Sequence, residues 1–252
     1  MVIWIACIAV AYGATIAIFW PIMRDNSALL TQYMAVFPKG FLAAFGMEGS
    51  LADPGVFFAT YVGSWLWPVL SAVAAVVLAT RPVAVDLERG FLELALSTPF
   101  SRLRYLLTAV GVQAVAMAAL AFVTVFGFTA AATVAGAPYD MARMLLVAVL
   151  AWAFGCAIAG VTSLLSVITL SRGVTAGIVT AVLLAMYLAD IVSKMQPDLA
   201  GLDYLSAMHY FRAIPIVDEG TVPLAETSLF AVVAAAGWGL AVLLFRRRDL
   251  AA

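Results

Sequence analysis

The stretch MLLVAVLAWAFGCAIAGVTSLLSVITL, Met144 to Leu170, contains no charged side chain. A helix rises about 1.5 Å per residue, and the hydrocarbon core of a bilayer takes roughly 20 apolar residues to cross. This run is long enough, and water has no part in its composition. The whole chain follows suit: 252 residues, 65% hydrophobic, 11% charged, mean hydropathy +1.10. A soluble domain of this length needs far more polar surface, so the class is a polytopic membrane protein.

Working outward from that run, Ser171-Arg172 is all that separates it from the next apolar segment, which implies a tight connection between antiparallel helices. Six spans are expected, at 2–23, 55–80, 105–134, 144–170, 173–190 and 227–245. The third is long enough to tilt or protrude. The first lacks a basic n-region and a small-residue cleavage site, so it reads as a retained span and not a secretory signal. Residues 1–252 are expected to form a single transmembrane domain.

Orientation follows from the 13 basic residues. With the N-terminus cytoplasmic, Arg81, Arg89, Arg102, Arg104, Arg172 and the triplet Arg246-Arg247-Arg248 crowd the inner ends of spans. Arg24, Lys39, Arg143, Lys194 and Arg212 scatter over the outer loops. Both termini are therefore predicted to be cytoplasmic. The outer loops at 24–54 and 195–226 carry aromatic and aliphatic residues among acids, as short amphipathic helices at the interface would. Cys7 and Cys156 fall inside spans and read as small buried hydrophobes, with no disulfide framework.

Several chemistries lack their residues. No glycine-rich turn ends in Gly-Lys-Ser/Thr, so no P-loop is present. His209 is the only histidine, and no His/Cys cluster has zinc-ligand spacing. No base accompanies a serine inside a span. No basic patch suggests nucleic acid. The chain is not expected to act as an enzyme by itself, nor to hold a metal or cofactor.

One segment stays wet. DLERGFLELALSTPFSR, Asp86 to Arg102, lies between the second and third spans. Asp86, Arg89 and Glu93 are spaced i, i+3, i+7, one face of a helix on which an ionic ladder can form. Leu87, Phe91, Leu94 and Ala95 make a separate apolar stripe. Gly90 costs such a helix about 1 kcal/mol against alanine, which is explained by another backbone coming close. Pro99 disfavours helix at Thr98 and ends the element; Ser101 is placed to cap the next helix. The expected fold is thus an all-α membrane protein with six transmembrane helices, a short cytoplasmic helix between spans 2 and 3, and structured outer loops.

The segment resembles the signature of ABC type-2 permeases, an acidic-Gly-x-Leu-Glu-x-x-Leu-Ser-x-Pro-x-x-Arg pattern between the second and third spans. Glu88, Gly90, Glu93, Leu96, Ser97, Pro99 and Arg102 match it. The closing Phe245-Arg246-Arg247-Arg248-Asp249-Leu250 looks like the end of these permeases as well. The resemblance implies the membrane-spanning subunit of a bacterial ATP-binding-cassette exporter, in the plasma (inner) membrane. It would have a second permease half, identical or homologous, and two copies of a separate ATPase subunit carrying ATP and Mg. It implies that residues 81–104 hold a coupling helix seated on that ATPase, with Asp86, Glu88, Arg89, Gly90, Glu93, Pro99 and Arg102 at the contact and Arg172 at a second, smaller one. Drugs, antibiotics and lipids are among the cargoes of the family. In one departure, members usually begin with a basic amphipathic cytoplasmic helix, whereas here apolar sequence starts at Val2.

Within the bilayer, Ala151, Gly155, Ala159 and Ser163 recur every four residues, a spacing that lets helices approach closely. Gln113, Tyr187 and Asp190 are the polar groups of a candidate substrate path, and intramembrane acids are functional candidates by default; the simpler reading of Asp190 places it at the outer interface. A nearly uncharged interior suits a hydrophobic or amphipathic cargo. Two alternatives stand beside the exporter: a secondary carrier driven by an ion gradient, which would place ionisable groups near the midplane, and a non-transporting membrane assembly subunit.

Overall fold

The computed structural model describes residues 7, 11, 19–22, 24–44, 53–61, 66–86 and 102–247. It is 86% helical, and no strand occurs among the described residues. In chain order the α-helices are α1 (Ser27–Met34), α2 (Lys39–Ala44), α3 (Pro54–Tyr61), α4 (Trp67–Thr80), α5 (Arg102–Val134), α6 (Met141–Thr169), α7 (Arg172–Met195), α8 (Ala213–Asp218) and α9 (Leu224–Arg247). A π-helical turn, Arg81–Val85, prolongs α4, and a 3-10 segment, Pro197–Leu205, follows α7.

Among the described residues, five helices are long and apolar enough to cross a membrane: Trp67–Val85, Leu103–Val134, Met141–Thr169, Arg172–Met195 and Leu224–Arg247. The chain is a multi-pass, all-helical membrane protein. Only Cys7, Ala11 and residues 19–22 of the expected first span are described, all helical; the rest of it lies outside the described residues. Of the expected second span, 55–80, the described residues form a helix over Pro54–Tyr61 and one over Trp67–Val85, which runs past the expected end at Thr80; residues 62–65 lie outside the described residues.

The other boundaries have local causes. Asp140 Oδ1 accepts from the Ala142 and Arg143 N–H groups at 2.8 and 3.3 Å, which caps α6 and fixes its start at Met141. α7 continues past Asp190 to Met195, because that carboxylate is paired with Lys194 one turn on and does not have to reach water. α9 begins with Glu226 in its first turn and ends with Arg246 and Arg247 in its last, each complementing the helix dipole. Both loops expected to hold short helices do hold them, as α1 and α2, and as the 3-10 segment and α8.

The contacts divide the chain into two compact units. One comprises Met1–Pro68, Ala118–Trp152 and Leu184–Glu226; the other comprises Val69–Met117, Ala153–Leu183 and Thr227–Ala252. In the first, Asp53 Oδ1 caps α3 through the Gly55 and Val56 N–H groups at 2.7 and 3.0 Å. α3 packs on α8 at Gly55, where a Cβ would lie 2.5 Å from Val217 Cγ1. Phe58 lies against Phe128 with ring centroids 4.3 Å apart. The fully buried Trp67 donates its indole N–H to the Ala151 carbonyl at 3.0 Å. Arg143 Nη1 donates to the Val217 and Asp218 carbonyls at 2.5 and 3.0 Å, satisfying the end of α8.

In the second unit, α6 and α9 cross on glycines. A Cβ on Gly160 would meet the Ala234 carbonyl oxygen at 2.7 Å, and one on Gly237 would meet the Gly160 carbonyl carbon at 2.5 Å. Nearby, Val83, Leu106, Val167, Ala241 and Phe245 form a buried cluster. The turn into α7 puts Leu170 at φ 54°, a left-handed conformation that a leucine adopts at a cost. Leu170 is held there by packing on that cluster and by its N–H bond to the Ser166 carbonyl at 3.0 Å.

Candidate functional site

Two polar groups in the second unit have defined geometry. The first lies where the chain leaves α4 and re-enters α5. Tyr105, in the first turn of α5, places its hydroxyl oxygen 2.7 Å from Asp86 Oδ2 and 3.0 Å from the Pro82 carbonyl oxygen. The residues on either side of 87–101 are thereby fastened together. The tyrosine ring is half-buried against the Val83–Phe245 cluster, so the hydroxyl has a firm base. The acceptors sit on the π-turn and directly after it, and the Asp86 N–H itself bonds to the Arg81 carbonyl. Asp86, expected to open an ionic ladder, is drawn toward Tyr105. The other ladder members, Arg89 and Glu93, lie outside the described residues, as do Glu88, Gly90 and Pro99. α5 begins at Arg102, directly after Ser101.

The second group is a membrane-depth polar knot. Gln113 is 2% exposed, and its Oε1 accepts from Ser163 Oγ and from Trp238 Nε1, both at 2.9 Å. Indole N–H only donates, so the amide orientation is fixed chemically: the oxygen faces Trp238 and Ser163. Among the described residues nothing accepts from Nε2. A narrow recess beside it is lined by Pro82, Val83, Leu106, Gln113 and Val167. Gln113 and Ser163, assigned from sequence to different roles, are thus brought together as partners.

The small-residue stripe on α6 is divided by what it meets. Ala151 presents the carbonyl that Trp67 uses. A Cβ on Gly155 would meet Met117 Sδ at 3.2 Å, Ala159 is buried, and Ser163 reaches Gln113. The tight crossing of α6 and α9 at Gly160 and Gly237 is off that stripe and was not read from the sequence. A signal for it existed in Ala234, Gly237 and Ala241, spaced i, i+3, i+7 on α9.

Asp190 is 4% exposed, more buried than an interface position requires. Its Oδ2 pairs with Lys194 Nζ at 2.8 Å, while Oδ1 has no partner among the described residues. Tyr187, one turn earlier, is half-buried. These two belong to the first unit and Gln113 to the second. Arg172 opens α7 with an exposed side chain. The turn before it is stapled by Thr169 Oγ1 and Thr175 Oγ1, 2.7 Å apart, with Thr175 also donating to the Ser171 carbonyl at 2.8 Å. His209 Nδ1 lies 2.9 Å from Asp203 Oδ2, between the rings of Tyr204 and Tyr210. Cys156 is buried as expected; Cys7 is exposed, which on an apolar helix is compatible with a lipid-facing side.

Tyr105 and Trp238 are the functional-site residues the sequence reading left out. Each proves to be the hydrogen-bond donor to a polar residue that had been singled out. No protein-family model and no curated protein matches the chain.

Proposed function

We propose that the chain is the membrane-spanning permease subunit of an ATP-driven exporter of the ABC type-2 class, moving a hydrophobic or amphipathic cargo. The observation that carries this reading is the charged 86–102 segment with its permease-like pattern, flanked by two helices of spanning length, Trp67–Val85 and Leu103–Val134. The Tyr105 bonds to Pro82 and Asp86 support it, because a segment that transmits force needs anchored ends. The energy source is a separate ATPase subunit, bound through Glu88, Arg89, Gly90 and Glu93, with Arg172 as a lesser contact. Two permease halves and two ATPase copies make up the working complex.

The test is association and transport. Gly90→Trp blocks close approach of a partner backbone, and Glu93→Lys leaves a reversed charge at the contact. An exposed pair is worth about 0.3–0.5 kcal/mol, whereas an unpaired desolvated interface charge costs several. At normal membrane expression both variants lose ATPase co-purification and substrate-stimulated hydrolysis. Parent-like behaviour of both would remove the main support for the assignment.

The buried Asp190 carboxylate favours a second reading, a carrier driven by an ion gradient. Asp190→Asn separates the two: it abolishes gradient-driven uptake into vesicles in a carrier and leaves ATP-driven transport intact in an exporter.

A further inference from the structure

The Tyr105 hydroxyl faces two acceptors with one proton. A carbonyl oxygen and an ionised carboxylate both only accept, so the bonds to Asp86 Oδ2 and to the Pro82 carbonyl cannot both be full at once. The bond to Asp86 is the shorter, as charge-assisted bonds are. The Pro82 carbonyl is then a spare acceptor. If Asp86 swings away, the hydroxyl turns to Pro82 and no half-buried donor is stranded, which removes the usual penalty for breaking such a contact.

The backbone beside it is suited to movement. Arg81–Val85 is a π-turn with Pro82 at its start. Such turns are rare and concentrate at functional positions, and the missing proline N–H leaves one fewer bond to rearrange. The tyrosine ring, by contrast, is packed against Val83, Leu106, Val167, Ala241 and Phe245 and stays in place while its acceptors exchange.

We propose that Tyr105 is a positioning residue, a latch between the C-terminal end of the α4 span and the N-terminal end of α5. Its held state donates to Asp86. Its released state donates to the Pro82 carbonyl and frees the Asp86 carboxylate for the ATPase partner. This rests on the exporter reading for its role in coupling, but the latch itself is a property of the permease alone.

Two substitutions drive it in opposite directions. Tyr105→Phe keeps the ring and removes the proton, so the two helix ends come apart. Asp86→Asn supplies an amide that donates to the Tyr105 oxygen while the hydroxyl donates to Pro82, so both bonds are made together and the ends are locked. The probe is bimane on Leu103→Cys with a quencher at Arg81→Trp, in the full-length chain with Cys7 and Cys156 replaced and reconstituted in nanodiscs. Steady quenching falls at least twofold in Tyr105→Phe and rises above the parent in Asp86→Asn. With the ATPase present, ATP changes quenching in the parent and not in either variant. Should Tyr105→Phe fail to accumulate, Asp86→Ala, which keeps the Pro82 bond and loses the Asp86 bond, gives a fall in quenching smaller than twofold.

Equal quenching in parent, Tyr105→Phe and Asp86→Asn overturns the latch, whatever the ATPase does. Opposite shifts in the permease alone, with no ATPase captured by the parent, support the latch and overturn the exporter reading. Opposite shifts together with a fivefold or greater loss of transport per ATP in both variants support both.

Discussion

Gly237 lies against the Gly160 carbonyl with no room for a methyl group: a Cβ on Gly237 would stand 2.5 Å from the Gly160 carbonyl carbon and 2.8 Å from the Val161 nitrogen. The obstructing atoms are backbone, so no rotamer change relieves the contact.

Gly237→Ala therefore destabilises by about 1–3 kcal/mol through overpacking. Gly239→Ala, two residues along the same helix, meets nothing within 4 Å. It is neutral or gains up to ~1 kcal/mol from helix propensity. Thermal unfolding midpoints of the two purified variants check the contrast; equal midpoints would contradict the crossing.

Gln113→Leu strands two donors. The Ser163 hydroxyl can turn back to a carbonyl of its own helix, but the Trp238 indole N–H has no such option. The loss is about 1–3 kcal/mol. Trp238→Phe added to Gln113→Leu removes the stranded donor and recovers part of it, with a coupling of about 0.6–1.7 kcal/mol as for other interhelical bonds in membranes. A double-mutant cycle on unfolding in mixed micelles measures it, and strict additivity would show that the two residues do not interact.

Arg143→Met leaves the Val217 and Asp218 carbonyls at the end of α8 without their donor. Amide exchange over 213–220 accelerates about tenfold, while exchange in α6 and α7 is unchanged. Arg143→Lys restores less than half of the protection, since an ammonium is more strongly hydrated than a guanidinium and gives up its water less readily to two carbonyls.

Topology is checked by labelling single cysteines in a background free of Cys7 and Cys156. The basic-residue asymmetry predicts that a cysteine at position 203 reacts from outside and one at position 92 only after the membrane is opened. Reversed accessibility at either position would invalidate the orientation and with it the ATPase-facing assignment of 86–102.

Long apolar runs were legible in the sequence because hydrocarbon thickness sets a length that few other constraints imitate, and four helices fall within a few residues of their expected places. The C-terminal end of the second span was not, because a charge and a proline read as a stop, whereas the helix runs on through Arg81 and Pro82 to Val85. Gln113 and Asp190 were legible as polar groups out of place, but not their partners. Which of the aromatic and small residues on other helices would face Gln113 depends on helix rotation, and α5 and α9 are apolar all round, with no polar face from which to read it. Asp190 was read as an interface residue near the end of its span, and its partner Lys194 stood one turn away.

The two residues between Thr169 and Arg172 have a mechanical consequence. Fully extended, the three steps from Thr169 to Arg172 span about 10 Å, little more than the 8–10 Å between axes of packed helices. However the protein moves, the joined ends of α6 and α7 stay neighbours, and the left-handed Leu170 stiffens the joint. The pair behaves as tongs closed at one end: any spreading of the two helices must open at the other end, toward Met141 and Met195.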